Sequence, residues 1–316
     1  IIKAICLKRG IELSSLNKDQ ALVPEKCTVL ENTQGTAPGM MFEINGRLLF
    51  SLPGVPYEMQ YLMKEVLNKI SSLRQTETIF HKTINTFGIP ESELATKISA
   101  WEDSLPFNYK LAYLPNPARG VKLRLSVYQG VDNSTPDKVK QLFTQLYSII
   151  GDSIYGEEEE TLESVVFQSL TKRGETLSIA ESCTGGEISS IFTTLPGVSS
   201  VFKGGVVAYD NKAKINILGV SKSIIEESGA VSEECVVAMA EGAKRLFGTD
   251  WAIATSGIAG PSGGSEEKPV GTLWVAISGP GITTTNKAIF SGDRERNIIR
   301  FSSASINLLR KALQNL

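Results

Sequence analysis

The sequence predicts a multidomain α/β protein, and three observations predict it. The chain has 316 residues, a length that suits two or three domains rather than one. From residue 156 onward short apolar runs alternate with amphipathic stretches, the pattern of a C-terminal α/β sandwich with a parallel or mixed sheet. Residues 79–155 make a small α+β unit, and residues 1–78 supply only a hairpin and a helix or two. That first unit buries too little surface to stand alone, so either another part of the chain completes it or a preceding segment is absent.

In the first unit, residues 40–44 and 47–51 flank Asn45-Gly46, a strong signal for a two-residue hairpin turn. Leu52-Pro53-Gly54-Val55-Pro56-Tyr57-Glu58 then turns into a helix over 58–70. In the second unit, 83–87 reads as a strand, 91–101 as a helix, 111–114 and 121–128 as strands, and 138–150 as a second helix. Pro115-Asn116-Pro117 and Gly120 form a turn there. His81, the only histidine, opens this unit and is read as structural or exposed rather than as a ligand, since no carboxylate or histidine neighbours it in sequence. The boundary falls within 151–160, ending in an acidic run over 157–160 that is read as a solvated segment without chemistry.

Leu162, Val165, Val166 and Leu170 then mark an amphipathic helix that closes at Gly174. A strand over 176–180, a helix over 185–194, a strand over 206–209 and a helix over 211–218 follow. Ser232 caps a helix of small residues running to Phe247, with Glu233 and Glu234 in its first turn, where carboxylates complement the helix dipole. Residues 251–255, 272–278 and 283–290 read as strands, and 296–313 as a closing amphipathic helix.

Hydrophobic content of 41% and charged content of 21% are those of an ordinary globular protein. The net charge is −2 and the basic residues are scattered, so no nucleic-acid partner is expected. No apolar run is long enough to span a bilayer and no signal peptide is visible, although the chain begins at Ile1 and a signal could have preceded it. Cys6, Cys27, Cys183 and Cys235 form no Cys-x-x-Cys pair, which argues against a zinc site or disulfide framework and for a reducing, cytoplasmic setting. The expected partner is a small molecule.

Ser178-Ile179-Ala180-Glu181-Ser182-Cys183-Thr184-Gly185-Gly186 places a serine where a buried strand meets a glycine-rich break. Such a junction offers main-chain N–H groups and the positive end of a helix dipole. A nucleophilic serine needs a base, and His81 lies in another unit, so Ser-His-Asp chemistry is disfavoured. Lysine and tyrosine remain, and both occur in Val206-Val207-Ala208-Tyr209-Asp210-Asn211-Lys212-Ala213-Lys214, where Asp210 or Asn211 can cap a helix. Strand-to-helix junctions in one parallel sheet open on the same edge, so Ser182, Tyr209 and Lys214 could converge. Spacing alone leaves a second reading open, with a capping serine, a packing tyrosine and a surface lysine. Cys183 could also be an activated thiol. Neighbouring side chains on a strand-end turn point to different sides, so one of the two is expected in the pocket, with Ser182 favoured and Cys183 as packing.

Thr255-Ser256-Gly257-Ile258-Ala259-Gly260-Pro261-Ser262-Gly263-Gly264 packs hydroxyls and glycines into a turn after a buried strand. It suits a phosphate or an oxyanion, with a flexible connection as the alternative. It matches neither the P-loop nor the dinucleotide-binding fingerprint. Gly292-Asp293-Arg294-Glu295-Arg296 opens the last helix, where arginines oppose the dipole. A grip on phosphate and a salt bridge to Asp293 or Glu295 are equally good reasons for these arginines to be there.

Together these segments resemble the CinA family, named for competence and damage inducibility, whose C-terminal domain is a nicotinamide-nucleotide amidase. The resemblance rests on Ala180-Glu181-Ser182-Cys183-Thr184-Gly185-Gly186, Leu195-Pro196-Gly197-Val198-Ser199, Gly205-Val206-Val207-Ala208-Tyr209-Asp210-Asn211 with Lys214, and Gly229-Ala230-Val231-Ser232. Ser256-Gly257-Ile258-Ala259-Gly260-Pro261, Lys268-Pro269-Val270-Gly271-Thr272 and Gly292-Asp293-Arg294 complete it. It implies hydrolysis of nicotinamide mononucleotide to nicotinic acid mononucleotide and ammonia, in pyridine nucleotide recycling. It further implies Ser182 as nucleophile, Lys214 as its base, Tyr209 as a supporting group and Arg294 turned toward substrate. On chemical grounds the N–H groups around Thr184, Gly185 and Gly186 are expected to hold the oxyanion. Thr255, Gly257, Ala259 and Gly260, with Arg294, are expected to grip ribose and phosphate. No cofactor is needed for this half.

Upstream, Asn17-Lys18-Asp19-Gln20-Ala21, Asn32-Thr33-Gln34-Gly35-Thr36-Ala37-Pro38-Gly39 and the segment from Leu52 to Glu58 resemble the second half of the family's molybdopterin-binding-like N-terminal domain. In some members that domain hydrolyses ADP-ribose with a divalent metal such as Mg. The family's threonine-glycine-glycine and acidic motif has no counterpart here, so that activity is not expected of these residues. The resemblance also implies a homodimer and a small middle domain. The alternatives kept are a metal-dependent ADP-ribose pyrophosphatase and a non-catalytic nucleotide-binding competence protein.

Overall fold

The computed structural model describes residues 22–73, 78–117 and 119–314, together with Lys3, Leu7, Gly10 and Glu12. Ile1, Cys6 and the segment Asn17-Lys18-Asp19-Gln20-Ala21 lie outside the described residues. The chain divides into two compact units, Ile1–Thr78 and Ile79–Leu316.

The first unit holds a three-stranded antiparallel sheet of β1 (Thr28–Leu30), β2 (Gly39–Ile44) and β3 (Arg47–Ser51), followed by α1 (Pro56–Leu73). The hairpin forms where the sequence places it, with positive φ at both Asn45 (51°) and Gly46 (72°), as a type I′ turn requires. Met41, Leu30, Leu62 and Val66 make its core. β1 is too short to show an alternating pattern in sequence.

The second unit opens with β4 (Phe80–Thr86), α2 (Glu91–Asp103), β5 (Tyr109–Asn116), β6 (Gly120–Val127), α3 (Thr135–Ile150) and β7 (Ile154–Glu157). Its antiparallel sheet runs β5-β6-β4-β7, and Leu94, Ile98, Val139, Phe143 and Leu146 pack on Ile84, Leu123 and Leu125. β7 straddles the 155/156 boundary read from the sequence. The acidic run is not a merely solvated segment. Glu158 Oε1 accepts from the Thr83 N–H (3.2 Å), Glu160 Oε2 accepts from the Glu157 N–H (2.8 Å), and the Glu158 and Glu160 carbonyls hold the Asn85 amide.

The rest of the unit is α4 (Leu162–Arg173), β8 (Leu177–Glu181), α5 (Glu187–Thr193), β9 (Phe202–Val207), α6 (Asn211–Leu218), α7 (Lys222–Glu227), α8 (Glu233–Phe247), β10 (Trp251–Gly257), β11 (Thr272–Gly279), β12 (Ile282–Ile289) and α9 (Arg294–Gln314). Its sheet is mixed, in the order β12-β11-β10-β8-β9, with β8 parallel to both β9 and β10 and the other pairs antiparallel. On one face Leu177, Ile179, Ile253, Val275 and Ile277 meet Leu170, Ile188, Ile306 and Leu309. On the other, Ala180, Ala252, Ala254 and Ala276 let α8 approach closely through Cys235, Val236, Met239 and Ala240. The α/β sandwich is therefore built as the alternation of strands and helices predicts.

β9 begins at Phe202 and ends before Tyr209, so the strand is displaced toward the N-terminus from the expected 206–209. Gly204 and Gly205 disguise it, since they read as a break. Both lie within the strand, where a Cβ on Gly204 would come 2.4 Å from the Phe247 ring and one on Gly205 2.5 Å from Ser189 Oγ. No described helix is long and apolar enough to cross a membrane.

Candidate active site

The parallel strands β8, β9 and β10 end on one edge, and the candidate residues gather there. Ser182 follows β8 directly, with its N–H donating to the Thr255 carbonyl at 3.1 Å. The Ala208 N–H donates to the Glu181 carbonyl at 2.8 Å, which ties the exit of β9 to the exit of β8. Asp210 caps α6 by accepting from the Lys212 N–H at 2.7 Å, and the helix then turns Lys214 inward.

Lys214 Nζ lies 3.0 Å from Ser182 Oγ, 2.8 Å from the Ala208 carbonyl and 3.2 Å from the Tyr209 carbonyl. Lys214 is 1% exposed and Ser182 8%. Burial lowers the lysine pKa below its ordinary 10.5, against smaller opposing effects of Cys235, Cys183 and Asp210. The reading that made Lys214 a surface lysine is therefore excluded by its burial.

Tyr209 contributes differently from expectation. Its main-chain carbonyl holds Lys214, while its hydroxyl accepts from Arg294 Nη2 at 2.8 Å in a largely exposed position. Arg294 also donates from Nη1 to the Gly260 carbonyl at 2.9 Å. Of the salt bridges considered for the two arginines, the one to Asp293 forms with Arg296, at 3.4 Å, and Arg294 makes neither. Two of the five guanidinium N–H donors are thus used within the chain, which leaves others for an anion at the rim.

A cavity of about 270 Å³ is lined by Ser182, Lys214, Tyr209, Arg294 and the Ser256-Gly257-Ile258-Ala259-Gly260 stretch, with Asn211 also on its wall. Gly257, Ala259 and Gly260 reach it as expected. Thr184, Gly185, Gly186 and Thr255 do not line it. The Thr184 and Thr255 hydroxyls are buried and bonded to each other at 2.8 Å. The Gly185 N–H donates to the Ser182 carbonyl and the Gly186 N–H to Glu181 Oε2, so neither is left for an oxyanion. Of the three expected donors, only the Thr184 N–H lacks an acceptor among the described residues.

Cys183 lines the cavity beside Ser182, contrary to the expectation that one of them would face away. Burial pushes its thiol up to about 12, which disfavours a thiolate nucleophile there. Two glycines of the loop answer a packing need. A Cβ on Gly257 would meet the Thr272 carbonyl at 2.3 Å, and one on Gly260 would meet Val270 at 2.6 Å.

Two residues escaped the sequence reading. Glu181 is wholly buried and accepts hydrogen bonds from the turn after Ser182. Asn297, also buried, donates to the Ala259 and Gly292 carbonyls and joins the loop to the start of α9. An acid closing an otherwise apolar strand was the available signal for the first. For the second there was none. Among the described residues no group of three or more His, Cys, Asp or Glu could hold a metal ion, and in the first unit Glu58 is taken up by the Asn32 amide.

A family model described as CinA C-terminal domain matches residues 159–313, and one described as Damage-inducible protein CinA KH domain matches residues 81–156. A "CinA-like protein" of Cytophaga hutchinsonii is 42% identical over 307 residues, covering 97% of this chain and 73% of that protein. The chain belongs to the CinA family. A second CinA-like protein, of Flavobacterium psychrophilum, is 44% identical over 304 residues, covering 95% of this chain and 72% of its own. Among solved CinA-superfamily structures, the competence damage-inducible protein A (ComA) of Klebsiella pneumoniae is 37% identical, covering 48% of this chain and 95% of its own, with a TM-score of 0.47.

Proposed function

We propose that this chain is an amidohydrolase that converts nicotinamide mononucleotide to nicotinic acid mononucleotide and ammonia, with Ser182 as nucleophile and Lys214 as base. The observation that carries the reading is the 3.0 Å contact between Lys214 Nζ and Ser182 Oγ, both buried at the wall of one cavity. A neutral lysine has two N–H bonds and one lone pair. With the Ala208 and Tyr209 carbonyls taking the two hydrogens, the lone pair is left pointing at the serine hydroxyl.

Lys214 accepts the Ser182 proton as Oγ attacks the carboxamide carbon. The protonated lysine then returns a proton to the departing nitrogen, the C–N bond breaks and ammonia leaves an acyl ester on Oγ. Water, deprotonated by the regenerated amine, attacks that ester and releases the carboxylic acid and the serine. Arg294 at the rim supports recognition of a phosphate monoester. The cavity, about 270 Å³, is near the low end of ligand pockets, about 300–1,000 Å³.

Ammonia release from nicotinamide mononucleotide tests the reading. Ser182→Ala and Lys214→Met should each lose about a thousandfold or more in kcat. Full activity in either removes the pair. Arg294→Ala should raise KM about tenfold with a smaller change in kcat, and wild-type KM would remove the phosphate contact.

A further inference from the structure

Glu181 precedes the candidate nucleophile, and its side chain is closed off from solvent. Oε2 accepts from the N–H groups of Gly186 (3.0 Å) and Ile188 (3.1 Å), and Oε1 from the N–H (2.9 Å) and hydroxyl (2.7 Å) of Ser189. A carboxylate is acceptor-only, with about four lone-pair sites. All are met by donors of the following turn, and none is left for a reacting group. No ion pair reaches it among the described residues. A buried carboxylate satisfied only by main-chain and hydroxyl donors persists where those donors must be held in place.

The segment it holds is the one that aims Ser182. Gly185 and Gly186 both have positive φ, at 65° and 103°, and the Gly185 N–H closes back on the Ser182 carbonyl. The glutamate main chain acts on the other partner. Its carbonyl accepts the Ala208 N–H, and the Ala208 carbonyl in turn holds Lys214 Nζ. Nucleophile and base are therefore both referenced to one residue. Ser189 reaches Glu181 because Gly205 has no Cβ in its way.

We propose that Glu181 is the positioning residue of the Ser182–Lys214 pair, holding the turn that follows Ser182 through its carboxylate and the base-bearing segment through its carbonyl. This rests on the reading of Ser182 as a nucleophile. Glu181→Gln keeps the shape but turns an amide NH₂ toward N–H donors, whichever way it is oriented. In the full chain kcat should fall about tenfold to a hundredfold, since small misplacements of reacting groups have effects of that size. KM should stay within about twofold.

The second readout is Ser182 labelling by a fluorophosphonate, in which an Oγ–P bond forms, fluoride leaves and the hydroxyl proton passes to Lys214. Its rate constant should fall in parallel with kcat while end-point labelling stays complete. A residue needed only for folding would lower the labelled fraction and leave the rate per labelled molecule unchanged, and that outcome overturns the proposal. Should Glu181→Gln not fold, Ser189→Ala removes one of the four donors and should lower both rates about threefold, with unchanged rates counting against it. A wild-type chain that labels at Ser182 but releases no ammonia refutes the amidase reading and leaves labelling to decide the role of Glu181. A wild-type chain that does not label overturns both.

Discussion

Lys214 donates to one hydroxyl and two carbonyls, and the loss of one proton turns that set from an ammonium cradle into an aimed base. Burial lowers its pKa below 10.5, so the free base prevails from a lower pH than for an exposed lysine. The expected pH profile of kcat/KM rises through that lowered pKa, and activity is lost as pH falls through it. Stability follows the same sign. Between the lowered pKa and 10.5 the unfolded chain binds more protons than the native one, so native stability rises with pH across that window. Urea unfolding across it should show a smaller rise for Lys214→Met than for wild type, and equal slopes would contradict the burial argument. Cys183, with its thiol pushed up to about 12, should resist iodoacetamide at about pH 8 in the native chain, whereas half-buried Cys27 reacts. Peptide mapping checks this, and equal alkylation of the two would show that Cys183 is accessible and ionisable. Ser182 and Lys214 were legible because each sits beside a strand-turn-helix punctuation. Glu181 was not, because an acid at a strand end reads as turn polarity until the donors of the next helix are seen around it.

At the level of elements, β9 and its glycines matter most. Gly204 and Gly205 look like a loop in sequence, since glycine carries no β propensity and often marks turns. In the sheet they make room for Phe247 and Ser189. Gly205→Ala should therefore move Ser189 from Glu181, costing about 1–3 kcal/mol of stability and lowering kcat. Denaturant unfolding and turnover of the same preparation measure the two effects together, and a chain with wild-type values for both would show that the strand relaxes freely. Strand and helix positions elsewhere were readable from periodicity, with ends shifted by a few residues. β1, β7 and α7 were missed because strands of three and four residues and a two-turn helix lack enough residues for a period to show.

Over the whole molecule, a buried cation in the second unit ties the last helix to the segment around residues 152–154. Arg310, 2% exposed on α9, donates to the Asp152 and Ile154 carbonyls and to Asn307 Oδ1. Arg310→Leu should lower stability by about 3 kcal/mol, because it strands buried acceptors that each cost about 1–3 kcal/mol unpaired. Urea unfolding measures it, and KM for the mononucleotide should not change, since Arg310 does not line the cavity. The sequence by itself determined the α/β class, the alternation that builds the C-terminal sandwich, the family resemblance, and the serine and lysine set at neighbouring junctions. Those are local matters of periodicity, capping and turn chemistry. Only the tertiary structure decided that Lys214 is buried against Ser182, that the Tyr209 hydroxyl belongs to Arg294, and that Glu181 takes the Gly186 N–H, one of the three expected to serve an oxyanion. Such pairings depend on which donors and acceptors the packing of β8, β9 and β10 brings within hydrogen-bond distance, and no local pattern along the chain encodes that.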